Sequence, residues 1–299
     1  MAAPSSIRIA TRGSALARWQ ADRVAQRLRE TAGIHCEFVV LSTTGDDRRD
    51  VPIHELGGTG VFVREVQHAV LDGRADIAVH SAKDLPSTTA EGLRLACVPE
   101  RADVRDALVG ASLGSLDTSS VVATGSVRRR AQLAAAVPGL QFAELRGNID
   151  TRLARAADHT AVVVAVAALD RLGLSHVITD HLDTEVMIPQ VAQGALAIEC
   201  RSDDDDTAAV LLGIDDTEHH RAVQAERSFL AGIGGGCDAP VGALATSQPE
   251  YSVAHLDPLR DGTFDACASD HVTPLVWSPL AGGRVATGEG LRPDLVTTL

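Results

Sequence analysis

An ammonium group and a carboxylate stand next to each other at Lys83 and Asp84. The stretch from Arg74 to His80 predicts a short buried strand before them, and Pro86 must end it because proline cannot continue a β-ladder. Lys83 is the single lysine among 27 lysine and arginine residues, so the chain uses a compact, flexible ammonium at one place only. A chance position is the plain alternative. The carboxyl end of a strand is where open α/β sheets bind ligands, which favours a functional role.

Three further groups place arginine where a predicted strand turns into a helix. They are Arg12-Gly13-Ser14, the run Thr124-Gly125-Ser126-Val127-Arg128-Arg129-Arg130, and the run Arg146-Gly147-Asn148-Ile149-Asp150-Thr151-Arg152, with Arg171 further along. Helix amino termini and guanidinium groups both bind carboxylates and phosphates. A capped helix or a solvated basic face would explain each group alone. Together they predict a cleft between two lobes that binds carboxylates in an acidic protein.

Cys237 follows the glycine run Gly234-Gly235-Gly236. The glycines let the backbone approach a ligand closely and predict an accessible thiol, which would be an attachment point or a nucleophile. A helix end followed by a buried cysteine is the alternative. The chain has five cysteines and no C-x-x-C spacing, which indicates free thiols in a reducing compartment and predicts no metal site.

The elements that must position these groups predict two α/β units, followed by a different third part. Strand–helix alternation runs through residues 5–99 and again through 100–190. In the first unit, Ser14 and Gly33 predict the two ends of a helix over 15–31. Further elements are also predicted: a long loop at 42–60, a helix at 193–200 that returns to the first unit, a helix at 218–230, and alternating strands at 241–245, 251–255 and 263–268.

The composition excludes several classes of function. The net charge is −13, which argues against general binding to nucleic acid or to an anionic membrane. The longest apolar run, 161–169, is too short to cross a bilayer, and no signal-peptide pattern precedes the first strand. The sequence therefore predicts a cytoplasmic protein of two or three domains.

The chain resembles the porphobilinogen deaminase family from residue 7 to about residue 245. The resemblance rests on many motifs in family-like order: Arg8-Ile9-Ala10-Thr11-Arg12, Ser14, Trp19-Gln20-Ala21, Ala75-Asp76-Ile77-Ala78-Val79-His80-Ser81, Lys83-Asp84, Ser126 with Arg128-Arg129, Leu145-Arg146-Gly147-Asn148, Thr151-Arg152-Leu153, Arg171-Leu172-Gly173-Leu174, Gln193-Gly194-Ala195, Ile198-Glu199-Cys200-Arg201 and Gly235-Gly236-Cys237.

The resemblance implies an α/β fold class with two lobes like type II periplasmic binding proteins around a cleft, and a small α+β C-terminal domain. It implies that residues 1–99 together with 193–216 form the first lobe, that residues 100–192 form the second, and that residues 217–299 form the third domain. The implied protein is a monomer with no metal, nucleic-acid or membrane partner.

The resemblance also implies a transferase that joins four porphobilinogen molecules head to tail into hydroxymethylbilane and releases ammonia at each step. A dipyrromethane cofactor, bound covalently through a thioether to Cys237, would prime the reaction, and Asp84 would be the catalytic carboxylate. The residues implied to bind the cofactor are Lys83, Ser81, Thr124, Ser126, Arg128, Arg129, Arg146 and Gly147. Those implied to bind the substrate are Arg12, Ser14, Arg146, Arg152, Arg171 and Gln193.

A non-catalytic two-lobed binding protein for a small carboxylated ligand is the alternative, since it would use the same arginines. It would not need Asp84 beside Lys83, nor Cys237 on a glycine loop. The sequence also departs from the family in places. Thr59 stands where members often carry lysine, Gly13 and Ala15 replace commoner residues, and 278–299 predicts a loop instead of a terminal helix.

Overall fold

The computed structural model describes residues 4–41, 63–235, 240–247 and 272–275. The strands are β1 Ser6–Arg12, β2 His35–Leu41, β3 Ile77–Ser81, β4 Leu93–Cys97, β5 Asp106–Val109, β6 Val121–Ala123, β7 Gln141–Ala143, β8 Ala161–Ala165, β9 Asp180–Leu182, β10 Leu196–Arg201, β11 Leu244–Ser247 and β12 Val272–Leu275. The α-helices are α1 Ala15–Ala32, α2 Arg64–Leu71, α3 Val127–Ala136, α4 Ile149–Ala154, α5 Val166–Arg171, α6 Asp205–Leu211 and α7 Thr217–Gly232.

The first lobe is built on a sheet with the strand order β2-β1-β3-β10-β4. β1 runs parallel to β2 and β3, whereas β10 runs antiparallel to both of its neighbours. The hydroxyl of Ser14 accepts a hydrogen bond from the N–H of Ala17 at the start of α1, and Gly33 ends the helix at φ 67°. Both helix ends are therefore where the sequence predicts them, because these residue types satisfy the free backbone groups there.

The helix predicted at 193–200 is wrong, because this segment contains β10. Ala192 and Gly194 have positive φ angles of 59° and 85°, which prevents a helix from forming through them. The residues that follow are buried on both faces between β3 and β4. A short apolar run has no period that separates a buried strand from a buried helix, so the neighbouring strands decide its structure. The predicted return of this segment to the first unit is confirmed.

The second lobe is built on a sheet with the order β7-β6-β8-β5-β9. β6 is parallel to β7 and β8, and β5 is antiparallel to β8 and β9. All five residues of β8 are buried, as its apolar sequence predicts. Sequence reasoning did not predict β5, which begins at Asp106 and contributes that carboxylate to the interior.

Apolar side chains cover both faces of each sheet. Leu28 of α1 and Val66 of α2 belong to separate clusters on the two faces of the first sheet. Leu133 of α3 and Leu169 of α5 do the same for the second sheet. Because the faces are filled by helices, the strand ends are left for polar ligands. The predicted class of two α/β lobes is confirmed.

The chain passes between the lobes twice, and the two passages touch where the N–H of Ala102 donates to the carbonyl of Gly194 at 3.1 Å. After the second passage, α7 packs on the first lobe, where Val223 and Leu230 share a cluster with Ala197. β11 and β12 form an antiparallel pair. α7 covers the helix predicted at 218–230, and β11 overlaps the end of the strand predicted at 241–245, whereas β12 is not one of the predicted strands.

Several predicted segments lie outside the described residues. They are the loop at 42–60, the strands at 251–255 and 263–268, and the C-terminal segment 278–299.

Candidate active site

The carboxyl ends of β1 and β3 lie side by side because the two strands are parallel neighbours. β1 ends at Arg12, and β3 ends at Ser81. A 3-10 turn, Ala82–Asp84, follows β3 directly and carries Lys83 and Asp84. The first lobe therefore brings its predicted cations and carboxylate to one edge of one sheet.

Glutamine side chains hold the residues of this turn. The hydroxyl of Ser81 accepts a hydrogen bond from Gln20 Nε2 at 2.8 Å. Lys83 Nζ donates to Gln193 Oε1 at 3.2 Å. Asp84 is exposed, so its carboxylate can contact a ligand.

In the second lobe, Arg128 and Arg129 extend from the first turn of α3 to Asp106. Asp106 Oδ2 accepts from Arg128 at 2.7 Å, and its Oδ1 accepts from Arg129 at 2.6 Å. The hydroxyl of Ser126 caps α3 by accepting from the N–H of Arg129, and Thr124 Oγ1 accepts from the N–H of Ser126 at 3.2 Å. The two hydroxyl residues thus shape the turn that aims both arginines inward.

Two guanidinium groups share the single carboxylate of Asp106, which is 0% exposed. Burial raises the pKa of Asp106, but attraction to Arg129 and Arg128 outweighs burial and holds this pKa well below its ordinary value. The Nε atoms of both arginines are buried and make no hydrogen bond among the described residues. One positive charge in excess and two unsatisfied donors favour the binding of an anion here.

Lys83 adds another positive charge beside this cluster. Burial is the largest cause that lowers the pKa of Lys83 to about 8; Arg129 lowers it too, whereas Asp84 and Asp106 oppose the change. Lys83 is nevertheless only half-buried, so a ligand can reach it from solvent. A bound anion would restore the charge of this lysine at higher pH.

Arg152 joins the same group from α4. Burial and then Arg129 lower its pKa to about 10, while Asp84 opposes them and Arg146 adds a further lowering. Arg152 Nε donates to the carbonyl of Gly147 at 2.8 Å, and Gly147 has φ 100°. The structure therefore brings charged residues of both lobes close enough to shift one another's pKa.

Arg171 ends α5 in the second lobe and reaches the first lobe. Its Nη2 donates to the carbonyl of Gly194 at 2.6 Å, and its Cζ lies 5.8 Å from the centroid of the Trp19 ring in α1. Burial lowers the pKa of Arg171 to about 10, with Asp170 opposing it. Within the described part of the chain, Arg171 contacts a ring face and a carbonyl and forms no salt bridge with a carboxylate.

Gln193 and Cys237 differ in what the structure says of them. Gln193 is 0% exposed, and both ends of its amide are bonded within the protein. Its predicted contact with the substrate stays a prediction. Cys237 lies outside the described residues, five positions after α7 ends at Gly232, so the predicted attachment there also stays a prediction.

Comparison with known proteins identifies the family. The model "Porphobilinogen deaminase, dipyromethane cofactor binding domain" matches residues 7–209, and "Porphobilinogen deaminase, C-terminal domain" matches residues 220–257. The chain belongs to the porphobilinogen deaminase family.

Relatives in this family match most of the chain. The porphobilinogen deaminase of Acidothermus cellulolyticus is 47% identical over 252 residues, which cover 81% of this chain and 76% of that protein. The porphobilinogen deaminase of Paracoccus denitrificans is 43% identical over 297 residues, which cover 97% of this chain and 93% of that protein.

Solved structures with similar architecture include binding proteins. The methionine-binding protein MetQ aligns with a TM-score of 0.43 and 14% identity over 79% of this chain and 98% of its own. A periplasmic substrate-binding protein of an ABC transporter from Coxiella burnetii aligns with a TM-score of 0.44 and 14% identity over 78% and 100%. The fold assignment of this family member rests on the strand order of its two sheets.

The arginine cluster fits the cofactor named in the family description. The matched cofactor-binding domain, residues 7–209, contains Asp106, Arg128, Arg129 and Lys83. Their excess positive charge and the two buried, unsatisfied Nε donors suit a carboxylated ligand such as dipyrromethane.

Two other kinds of feature are absent from the described part of the chain. Within residues 4–41, 63–235, 240–247 and 272–275, no helix is long and apolar enough to cross a membrane. The same residues contain no group of three or more histidine, cysteine, aspartate or glutamate side chains that could hold a metal ion.

Sequence reasoning missed three residues of this deaminase-family site. They are Asp106, which pairs both arginines, Gln20, which holds Ser81, and Trp19, which contacts Arg171. The resemblance included Trp19 and Gln20 without giving them a role. Asp106 lies 22 residues from Arg128, and no local signal connects the two.

Proposed function

We propose that this protein joins four porphobilinogen molecules head to tail into the linear tetrapyrrole hydroxymethylbilane and releases one ammonia for each unit. The observation that carries the proposal is the cluster in which Arg128 and Arg129 share Asp106 beside Lys83 and Asp84. Membership of the porphobilinogen deaminase family supports it.

The charge of the site suits this substrate. Each pyrrole unit carries an acetate and a propionate, so a growing chain collects carboxylates. Arginine pairs with carboxylates through two parallel hydrogen bonds, and such pairs are stronger where water is scarce. This accounts for the desolvated guanidinium groups of Arg152 and Arg171 in a protein whose net charge is −13.

We assign the residues in two groups. Those toward the dipyrromethane are Lys83, Ser81, Thr124, Ser126, Arg128, Arg129, Arg146 and Gly147. Those toward the substrate are Arg12, Ser14, Arg146, Arg152 and Arg171, to which the family resemblance adds Gln193. Dipyrromethane, when attached to Cys237 by a thioether, supplies the pyrrole carbon at which the first new bond forms.

Asp84 has the catalytic role in this proposal. Positive charge develops on pyrrole N–H groups as ammonia leaves, and a carboxylate beside those groups stabilises it and accepts a proton. Asp84 is exposed, and its charge raises the pKa of both Lys83 and Arg152. It therefore lies near the cations that would hold the ligand.

Denaturing mass spectrometry of the intact protein tests the function. The starting mass should exceed the chain by two pyrrole units, and brief incubation with porphobilinogen should give a ladder of single-unit additions. Cys237→Ser should lack the starting adduct. A bare chain that gains no ladder, even after treatment with preformed hydroxymethylbilane, would instead support a two-lobed binding protein for a carboxylated ligand.

Asp84→Asn tests the catalytic assignment. Turnover should fall by at least about 100-fold, because a positioned acid–base group contributes about 10²–10⁴ in rate. The melting temperature should stay close to that of the wild type, since Asp84 is exposed. Equal losses of turnover and stability would remove Asp84 from the mechanism.

A further inference from the structure

The side chain of Gln193 connects the two lobes through a short chain of hydrogen bonds. Its Oε1 accepts from Lys83 Nζ of the first lobe at 3.2 Å. Its Nε2 donates to Asp106 Oδ1 of the second lobe at 2.9 Å and to the carbonyl of Val104 at 2.8 Å. The Gln193 side chain is 0% exposed, so its amide depends on these protein partners for its hydrogen bonds.

The chemistry of its partners fixes the orientation of the Gln193 amide. The ammonium group of Lys83 has only donors, so it must face the amide oxygen. The carboxylate of Asp106 and the carbonyl of Val104 have only acceptors, so they must face the amide nitrogen. One rigid planar group therefore sets the separation between a cation of one lobe and an anion of the other.

The backbone of Gln193 is anchored where the two passages between the lobes touch. Its carbonyl accepts from Arg101 Nε at 2.8 Å, and its N–H donates to the carbonyl of Gln190 at 2.9 Å. The next residue, Gly194, accepts from the N–H of Ala102. These backbone hydrogen bonds fix the position from which the Gln193 side chain extends between the lobes.

We propose that Gln193 is a positioning residue whose amide holds Lys83 and Asp106 at a fixed separation, so that Lys83, Arg128 and Arg129 face the same carboxylated ligand. The proposal rests on the proposed function of the site. It gives Gln193 an indirect role, in place of the substrate contact that the family resemblance implies. Both N–H groups of its amide are used by Val104 and Asp106, and its oxygen accepts from Lys83, which favours the indirect role.

The charge of Lys83 reports on this contact. An oxygen acceptor stabilises the ammonium form. The charged groups that act on Lys83 are Arg129 and Arg152, which oppose its charge, and Asp84 and Asp106, which favour it. Replacing the acceptor of Gln193 with an apolar group of similar length therefore makes the ammonium less stable and leaves these four charges in place.

The experiment uses the single lysine of the chain. Reductive methylation with ¹³C-formaldehyde labels Lys83 and the terminal amine, and the NMR shift of the labelled Lys83 is followed against pH in the full chain with Cys237→Ser, which carries no attached dipyrromethane. Gln193→Met should lower the titration midpoint of Lys83 by about 1 pH unit, because a hydrogen bond to a charged group contributes about 1.5–3 kcal/mol. Gln193→Glu keeps an oxygen toward Lys83 and, with its second oxygen protonated, a donor toward Asp106, so it should return the midpoint to the wild-type value or above it.

Gln67→Met is the matched control. Gln67 is a buried glutamine of the first lobe that donates to Glu199 at 2.8 Å. The same change there should leave the midpoint of Lys83 unaltered. A wild-type midpoint in Gln193→Met, or an equal shift in both methionine variants, would overturn the proposal.

Turnover gives a second measurement on the complete protein. With the fold retained, Gln193→Met should lower turnover of porphobilinogen about tenfold, in line with the loss of one charged hydrogen bond. A wild-type protein without deaminase activity would refute the proposed function, whereas the titration of Lys83 would still decide the role of Gln193.

Discussion

Two buried clusters of this protein pair arginine with a carboxylate, and they differ in their charge balance. At the junction of the lobes with α7, Arg101 donates to Glu226 at 2.7 and 3.0 Å, with the two side chains 4% and 0% exposed. Glu226 also accepts from the N–H groups of Ala192 at 2.6 Å and Ala245 at 3.0 Å. In the second cluster, Arg128 and Arg129 share one aspartate.

The difference separates a structural pair from a ligand site. At Glu226 one cation faces one anion, and the two carboxylate oxygens of Glu226 accept four hydrogen bonds. The charges of this cluster are therefore balanced, and its acceptors are satisfied without a ligand. The cluster at Asp106 keeps one positive charge in excess and two buried Nε atoms without partners among the described residues. Such a surplus costs stability in the unliganded protein, and an anion offsets that cost when it binds.

The largest effect is expected at the balanced cluster. Glu226→Gln should lower the free energy of unfolding by about 3–5 kcal/mol, because it leaves the Arg101 charge buried without a counter-ion and turns an amide N–H toward other donors. Urea unfolding measures it. Asp205→Asn, which breaks an exposed pair with Arg94, is the control and should change stability by less than about 1 kcal/mol. Similar losses in both variants would contradict the structural role of Glu226.

A smaller effect on stability, with a clear effect on ligand binding, is expected at the surplus cluster. Arg129→Met leaves Asp106 paired with Arg128 and should cost less stability than Glu226→Gln. Losing one charged hydrogen bond to a carboxylate should weaken the non-covalent binding that precedes attachment of the ligand by about 10- to 100-fold, from about 1.5–3 kcal/mol. Mass spectrometry should find fewer chains with the two-pyrrole adduct. Full retention of the adduct together with severe destabilisation would make this cluster structural as well.

The surplus charge also predicts a dependence on pH. Lys83 has a lowered pKa of about 8 without ligand, and a bound carboxylate raises it. The ammonium is therefore the main form at pH 7 in both states, whereas above pH 8 binding must take up a proton. Affinity for a pyrrole with acetate and propionate but no aminomethyl group should fall by up to about tenfold per pH unit above pH 8. Calorimetry at pH 7 and 9 on Cys237→Ser, which carries no attached dipyrromethane, measures it, and Lys83→Met in that variant should remove the dependence. Equal affinities at both pH values in Cys237→Ser with Lys83 intact would contradict a carboxylate contact with Lys83.

The smallest effect is expected at the ring that contacts Arg171. Trp19→Leu removes a cation–π contact of about 0.5–1 kcal/mol, so KM for porphobilinogen should rise about two- to fivefold. Trp19 is 37% exposed, and stability should change little. Phe38→Leu, at an exposed aromatic residue of β2, should leave KM unchanged. The same KM in wild type and Trp19→Leu would show that Arg171 does not depend on this ring.

The parts of the fold that local chemistry determines were predictable. Ser14 and Gly33 mark the ends of α1 because capping depends on residues within one turn. The structure of β10 was not predictable, because its apolar residues suit either a helix or a strand. Pairing with the strands on both sides makes it a strand. Its neighbour β4 lies about 100 residues earlier in the chain, as the pairing of Cys97 with Ile198 shows.

The candidate site follows the same division. Lys83, Asp84 and the arginines were found because cations at strand ends form a local pattern. The salt bridges of Arg128 and Arg129 with Asp106 were not found, because Asp106 begins a short strand that sequence reasoning did not predict. The contact of Trp19 with Arg171 joins residues in separate lobes, and only the folded chain brings them together.

Gly194 limits how the space between the lobes can be altered. A Cβ atom at this position would lie 2.5 Å from the carbonyl oxygen of Ala102 and 2.9 Å from that of Asp103. Any other amino acid would push the two passages apart and would disturb the carbonyl that serves both Ala102 and Arg171. Variants designed to accommodate bulkier pyrroles should therefore keep Gly194 and shorten exposed side chains of the site instead.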